Sequence, residues 1–151
     1  MDPQDPLLLD LPASFDTPRL HMRVPQPGDG PALFVAIEES LPELRQFLAS
    51  LPWVGGEQSV DSSEAFCRNA QANFLARRDL PFLMFERTTG ALIGAAGLHR
   101  PAWSTPKVEV GYWRRTGADG RGLVCEAVAA LVDYAFTHAA AVRVELVTDE
   151  L

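Results

Sequence analysis

The residues best suited to chemistry in this chain lie between a strand pattern and a helix pattern. The strand pattern of 107–113 is followed by a turn rich in glycine and arginine, over 114–122, and then by the helix pattern of 122–138. Such a turn combines free backbone N–H groups at a helix start, glycines that let the main chain approach a ligand, and a helix dipole that favours anions. The sequence therefore predicts a phosphate-binding site here.

The spacing of the glycines in this turn excludes two common nucleotide sites. Gly117, Gly120 and Gly122 are three and then two residues apart, whereas the dinucleotide motif G-x-G-x-x-G has spacings of two and then three. The turn also lacks the G-K-[ST] sequence of a P-loop. We expect the anion to be neither a dinucleotide nor a nucleoside triphosphate held by a P-loop.

Four segments, taken in order, resemble the GNAT superfamily of acetyl-CoA-dependent N-acetyltransferases. They are Thr17–Arg23, Gly94–Leu98, Glu109–Trp113 and Gly120–Ala127. The resemblance extends over 17–147 and is greatest to the branch of ribosomal-protein N-terminal acetyltransferases. It implies an α/β (α+β) fold with a mixed, mostly antiparallel sheet flanked by helices.

The resemblance also implies that acetyl-CoA is the co-substrate and that the glycine-rich turn wraps its diphosphate. The implied cofactor-binding residues are Val110, Gly111, Tyr112, Trp113, Asp119, Gly120, Arg121, Gly122, Leu123, Val124 and Cys125. In the family pattern Q/R-x-x-G-x-G/A, Asp119 stands at the Q/R position and Val124 at the final small residue. Cys125 stands where relatives often carry a threonine. Binding by backbone amides is compatible with these departures.

Acetyl transfer to an amine requires a bound acetyl donor, a base for the amine proton and a dipole on the thioester carbonyl. The resemblance implies that the N–H of Val110 or Gly111 meets that carbonyl. Glu109, on the same strand, is the first candidate base; the alternative is a strand-end carboxylate paired with Lys107 or an arginine. His99, at the end of the preceding strand, is the second candidate, and its alternative role is structural hydrogen bonding.

Periodicity and turn signals predict the elements that position these residues. Strands are predicted over 19–24, 81–87, 91–99, 107–113 and 143–147, and helices over 31–40, 43–50, 61–78 and 122–138. Asp61–Glu64 has the spacing of a capping box. The helix of 122–138 is apolar nearly all round and should be buried against the sheet. Residues 1–16 are predicted to be a loose arm, and 17–151 a partial GNAT domain.

The predicted order of elements matches the GNAT resemblance as far as the strand of 143–147. In the family, a further helix and closing strands follow this strand and hold the pantetheine from the other side. The sequence has no counterpart of them, so we expect a fold that lacks the last helix and closing strands. An uncovered strand edge permits pairing with another chain, and we therefore expect self-association through 143–147.

Composition restricts the class of protein further. The 151 residues are 47% hydrophobic and 22% charged, which is typical of one globular domain. No apolar run reaches the length of a membrane span, and the net charge of −7 argues against a nucleic-acid surface. The histidines and cysteines are not clustered as metal ligands are. We expect a cytoplasmic protein without a metal, a nucleic acid or a membrane as partner.

Two functions are consistent with these observations. The first is an acyltransferase that moves acetyl from acetyl-CoA to a primary amine, on a protein N-terminus or a small molecule, by direct attack. The second is a non-catalytic acyl-CoA-binding or structural remnant of such an enzyme, which the missing closing elements favour. The residues leave the identity of the amine acceptor open.

Overall fold

The computed structural model describes residues 5–47, 59–115 and 122–146. Within these ranges the chain forms one mixed sheet of six strands and three α-helices. The strands are β1 (Ser14–Asp16), β2 (Leu20–Arg23), β3 (Leu80–Glu86), β4 (Leu92–Ala102), β5 (Lys107–Arg114) and β6 (Arg143–Leu146). The helices are α1 (Gly30–Phe47), α2 (Val60–Leu75) and α3 (Leu123–Thr137).

The strands lie in the sheet in the order in which they occur along the chain. Each neighbouring pair from β1 to β5 is antiparallel, and only the β5–β6 pair of the described sheet is parallel. The parallel pair is connected through α3, as parallel strands need a crossover. This architecture confirms the predicted mixed, mostly antiparallel sheet flanked by helices.

The helices cover both faces of the sheet. On one face α3 buries Leu123, Ala127, Leu131 and Tyr134, and the Tyr134 ring lies 5.3 Å from that of Phe82 on β3. This stripe confirms the prediction that the apolar helix packs on the sheet.

The second face of the sheet carries a smaller apolar cluster. Leu33 and Ile37 of α1 pack there with Cys67 of α2 and Trp113 of β5. The sheet therefore lies between α3 on one side and the α1–α2 pair on the other.

The division of 31–40 and 43–50 into two helices was wrong for the described part of this region. A single helix, α1, runs from Gly30 to Phe47 with Pro42 inside it. Proline removes one backbone donor and disfavours a helix locally, but Ile37 and Leu41 are buried beside it. Tertiary packing of the α1 face outweighs the local signal.

The predicted capping box at Asp61–Glu64 was also wrong. The box is formed by Ser59 and Ser62, two residues earlier, and α2 begins at Val60. Glu64 instead accepts hydrogen bonds from the N–H groups of Gly28 and Gly30, each at 2.9 Å, and so caps the start of α1.

The segment expected to be a loose arm takes part in the fold where it is described. Ser14–Asp16 pairs with β2 as the first strand of the sheet, and Leu11 is buried in the core. The Arg77 guanidinium donates to the carbonyls of Pro6 and Leu9 at 3.1 and 2.8 Å. Local composition gave no sign of these contacts because their partners lie far along the chain.

Candidate active site

The first component of the site is the edge of β5. β4 pairs with β5 up to Arg114, whereas the described ladder between β5 and β6 ends where Val110 meets Leu146. Beyond that point β5 continues through Gly111 and Tyr112. An extended ligand can add to such a strand edge through main-chain hydrogen bonds.

The second component is the start of α3. Gly122 is the N-cap, with φ +69° in the left-handed region that favours glycine, and no side chain caps the helix within the described residues. The first backbone N–H groups of a helix have no intrahelical partner, and the dipole favours an anion there. Asp119, Gly120 and Arg121, predicted to bind the cofactor, lie outside the described residues.

The side chains of the remaining predicted cofactor residues point in different directions. Val110 and Leu123 are buried between β5 and α3, whereas Trp113 is buried on the opposite face against α1 and α2. Tyr112 and Cys125 are exposed, and Val124 packs partly against the core. The side chains of these described residues therefore form no single cluster.

The third component is a histidine that lies over the middle of the sheet. The His99 ring packs against Gly97 on its own strand and Gly111 on β5. A Cβ built on Gly97 would lie 2.8 Å from His99 Cε1, and one on Gly111 would lie 3.0 Å from Cδ2 and 3.4 Å from Nε2. The two glycines therefore provide the space that the imidazole occupies, next to the edge of β5.

An aspartate orients this histidine. Asp79 lies in the turn between α2 and β3, and its Oδ1 is 2.8 Å from His99 Nδ1. With the proton on Nδ1 donated to the carboxylate, Nε2 keeps a lone pair and can accept a proton. The side chains of His99 and Asp79 are 37% and 29% exposed, so that solvent and small ligands reach the pair.

Glu109, the first candidate base, is held differently. It is the cross-strand partner of His99, and its Oε2 accepts a hydrogen bond of 2.6 Å from Arg100. The structure thus brings both candidate bases to the same part of the sheet. The carboxylate of Glu109 is ion-paired, whereas the Nε2 of His99 faces the glycines.

Asp79 is a candidate functional residue that the sequence did not indicate. It is separated from His99 by 20 positions and lies in no motif. A second missed feature joins two of the segments that carry the family resemblance. Glu126 Oε2 accepts from the Thr17 hydroxyl at 2.5 Å and from the Arg19 N–H at 2.8 Å.

The family of the chain follows from its sequence match. A family model described as an acetyltransferase (GNAT) domain matches residues 19–151. The chain belongs to the GNAT acetyltransferase family. It is therefore an acyltransferase by family. A comparison with curated protein sequences found no significant match.

Solved structures of acetyltransferases share the fold. A protein provisionally named ribosomal-protein-serine acetyltransferase, from Vibrio cholerae, is 23% identical with a TM-score of 0.73, over 90% of this chain and 74% of that one. RimL, a ribosomal L7/L12 α-N-protein acetyltransferase solved with coenzyme A, is 17% identical with a TM-score of 0.71, over 83% and 66%.

A third similar structure belongs to a different kind of acetyltransferase. The microcin C7 self-immunity acetyltransferase MccE, solved with acetyl-CoA and AMP, is 13% identical with a TM-score of 0.72. The match covers 79% of this chain and 63% of that one, so this chain spans less than two thirds of the MccE chain. These likenesses establish the fold.

Two features are absent from the described residues. No group of three or more histidine, cysteine, aspartate or glutamate side chains in them is placed to hold a metal ion. No helix in the same ranges is long and apolar enough to cross a membrane.

Proposed function

We propose that this protein transfers acetyl from acetyl-CoA to a primary amine by direct attack, with His99 as the general base. One observation carries the proposal: the imidazole, oriented by Asp79, lies against Gly111 at the edge of β5. That edge adjoins the last described pair of the β5–β6 ladder, Val110 with Leu146. A thioester bound along the edge would be within reach of an amine that His99 has deprotonated.

The reaction involves a simple exchange of bonds. The amine nitrogen attacks the carbonyl carbon, the new C–N bond forms, and His99 Nε2 takes the amine proton. The C–S bond then breaks, and coenzyme A leaves as a thiolate that takes up a proton from solvent. The N–H of Val110 or Gly111 would stabilise the negative charge that develops on the carbonyl oxygen.

The backbone of the α3 start suits the diphosphate of coenzyme A. No described side chain caps the first turn of α3, which begins after Gly122, and helix starts of this kind bind phosphate groups. In this proposal Gly120–Cys125 surrounds the diphosphate, and Val110–Trp113 contacts the pantetheine through its main chain. Acetyl-CoA is then the co-substrate, as the complexes of RimL and MccE with coenzyme A or acetyl-CoA support.

The acceptor is a primary amine on a protein N-terminus or a small molecule. Two of the relatives are named as ribosomal-protein acetyltransferases, which supports a protein N-terminus as acceptor. The third is named for self-immunity to microcin C7, which supports an acceptor other than a ribosomal protein. We place the reaction in the cytoplasm, where acetyl-CoA and such acceptors meet.

Association of two chains through β6 stays a prediction, which light scattering tests. Leu146 on that strand is 60% exposed.

The experiment is an assay of coenzyme A release from acetyl-CoA with a panel of primary amines. General-base catalysis contributes about 10²–10⁴-fold, so His99→Gln should lower turnover by at least about a hundredfold, with little change in coenzyme A affinity. His21→Gln is the matched control, because His21 also bonds an aspartate, Asp16 at 2.6 Å, but lies on β2.

The same assay distinguishes the alternatives. If Glu109→Gln removes turnover and flattens the pH–rate profile while His99→Gln does not, Glu109 is the base. If the chain binds coenzyme A in calorimetry but releases none from acetyl-CoA with any amine, it is a non-catalytic acyl-CoA-binding protein.

A further inference from the structure

One carboxylate joins the start of α3 to the start of β2. Glu126, in the first turn of α3, accepts from the Thr17 hydroxyl at 2.5 Å, from the Arg19 backbone N–H at 2.8 Å and from Arg19 Nε at 2.8 Å. We call these three residues the Glu126 clamp. Its partners are separated by 107 and 109 positions, so the clamp is a purely tertiary contact.

The β2 side of the clamp is rigidly built. The Leu20 N–H donates to Thr17 Oγ1 at 2.9 Å, and the Thr17 N–H donates to the Leu20 carbonyl at 2.8 Å. Arg87, just beyond β3, donates to the Thr17 carbonyl at 2.9 Å. The turn before β2 is therefore fixed to two neighbouring strands, and Glu126 transmits that fixed position to α3.

The α3 side of the clamp lies beside the proposed diphosphate site. Helix side chains lean toward the helix N-terminus, so Glu126 extends along the first turn. Arg19 Nη2 would lie 3.6 Å from a Cβ built on Gly122. The hydrogen bonds from Thr17 and Arg19 occupy the carboxylate and offset its charge, which leaves the helix N–H groups to bind another anion.

We propose that the Glu126 clamp positions the first turn of α3 to bind the diphosphate of coenzyme A. This inference rests on the proposed function, because it concerns the donor of the same reaction. Glu126 is a positioning residue: it acts through the backbone of Gly122–Cys125 and does not touch the reacting atoms. The clamp should matter for donors that carry a diphosphate and not for those that lack one.

The pKa of Glu126 is consistent with this role. Burial raises it, but the hydrogen bonds from Thr17 and from Arg19 outweigh that effect, so the pKa lies below its ordinary value. The carboxylate therefore stays ionised throughout the pH range in which an amine acetyltransferase would be assayed, and the clamp persists there.

The test compares two acetyl donors with the same thioester. Acetyl-CoA carries the diphosphate, and S-acetylpantetheine does not. For Glu126→Gln we expect the KM for acetyl-CoA and the Kd for coenzyme A to rise about tenfold, the loss expected from removing charge-assisted hydrogen bonds. The kcat with acetyl-CoA and the kcat/KM with S-acetylpantetheine should remain within about twofold of the wild type.

Two further variants keep the result interpretable. Thr17→Val removes the hydroxyl at nearly constant volume, and with it both the donor to Glu126 and the acceptor of the Leu20 N–H. It should shift the same parameters in the same direction by a smaller factor, even if Glu126→Gln fails to fold. Glu64→Gln is the matched control: Glu64 also joins two elements through backbone N–H groups, at the start of α1. It should leave the ratio of the two donors unchanged.

Either of two results would overturn the inference. An equal loss with both donors would mean that Glu126 supports the fold in general, and an unchanged KM for acetyl-CoA would mean that the clamp does not position the diphosphate site. The failure of the proposed function is a separate result, in which the wild type releases no thiol from either donor. Coenzyme A binding by calorimetry still tests the clamp in that case, since it needs no turnover.

Discussion

Replacing Asp79 by asparagine tests the proposed base most directly. The variant keeps the shape of the side chain but removes the charge that lies 2.8 Å from His99 Nδ1. A hydrogen bond involving a charged group contributes about 1.5–3 kcal/mol. Because the two side chains are 37% and 29% exposed, water screens the pair and we take the lower end, about 1.5 kcal/mol. That value corresponds to a roughly tenfold loss of turnover.

A second effect of Asp79→Asn acts in the same direction. The amide NH₂ of asparagine can donate to Nδ1, which favours the tautomer with its proton on Nε2. In that tautomer Nε2 cannot accept the amine proton. The tenfold loss is therefore a lower bound, and it should appear in kcat, with the Kd for coenzyme A unchanged.

The assay is the initial rate of coenzyme A release at saturating acetyl-CoA, measured across the pH range in which imidazole titrates. Asp16→Asn provides the matched control, because Asp16 bonds His21 at 2.6 Å on β1 and β2. Wild-type turnover and an unshifted pH profile in Asp79→Asn would refute the role of the pair. An equal loss in Asp16→Asn would show that the effect is one of general stability.

Three predictions concern stability, each measured by thermal or denaturant unfolding. Hydrogen bonds from the Gly28 N–H, from Arg68 and from the Gly30 N–H lower the pKa of Glu64 from 4.5 to about 2. The ionised Glu64 therefore stabilises the folded state fully above the pKa of the unfolded chain, and this stabilisation is lost as the pH falls toward 2. Glu64→Gln should reduce this dependence of stability on acid. Phe82→Ala should cost about 3–5 kcal/mol, because Phe82 is 1% exposed among three aromatic rings; a cost below about 1 kcal/mol would contradict this packing. Ser63→Ala should raise the free energy of unfolding by about 1 kcal/mol. The buried Ser63 hydroxyl makes no hydrogen bond within the described residues, and alanine favours the helix. A loss of stability would indicate that the hydroxyl has an unrecognised hydrogen-bond partner.

The sequence alone determined the elements whose signals are local. The alternation of β5 and the apolar stripe of α3 each arise from neighbours a few residues apart, and the structure has both elements within one residue of the predicted bounds. The family resemblance was equally accessible, because its motifs are short segments in a fixed order. The resemblance by itself implies the mixed, mostly antiparallel fold that the structure has.

Local signals misled where packing between elements decides the outcome. Pro42 indicates a helix break, yet α1 continues through it because the buried face of the helix outweighs one lost hydrogen bond. Asp61–Glu64 indicates a capping box, yet Glu64 caps α1 across a gap of 34 and 36 positions. A carboxylate at a given spacing satisfies whichever donors the tertiary structure brings nearest.

The candidate site shows the same difference between what local sequence signals indicate and what tertiary packing decides. Glu109 and His99 could be named from their places on predicted strands, but their roles depend on the partners that the fold supplies, Arg100 for one and Asp79 for the other. The Thr17–Glu126 contact likewise spans 109 positions. Secondary structure is determined largely by interactions between residues close in sequence, whereas hydrogen bonds between side chains of different elements depend on strand register and helix docking. The sequence therefore indicated candidate residues such as Glu109 and His99, and only the tertiary structure decided which side chains they meet.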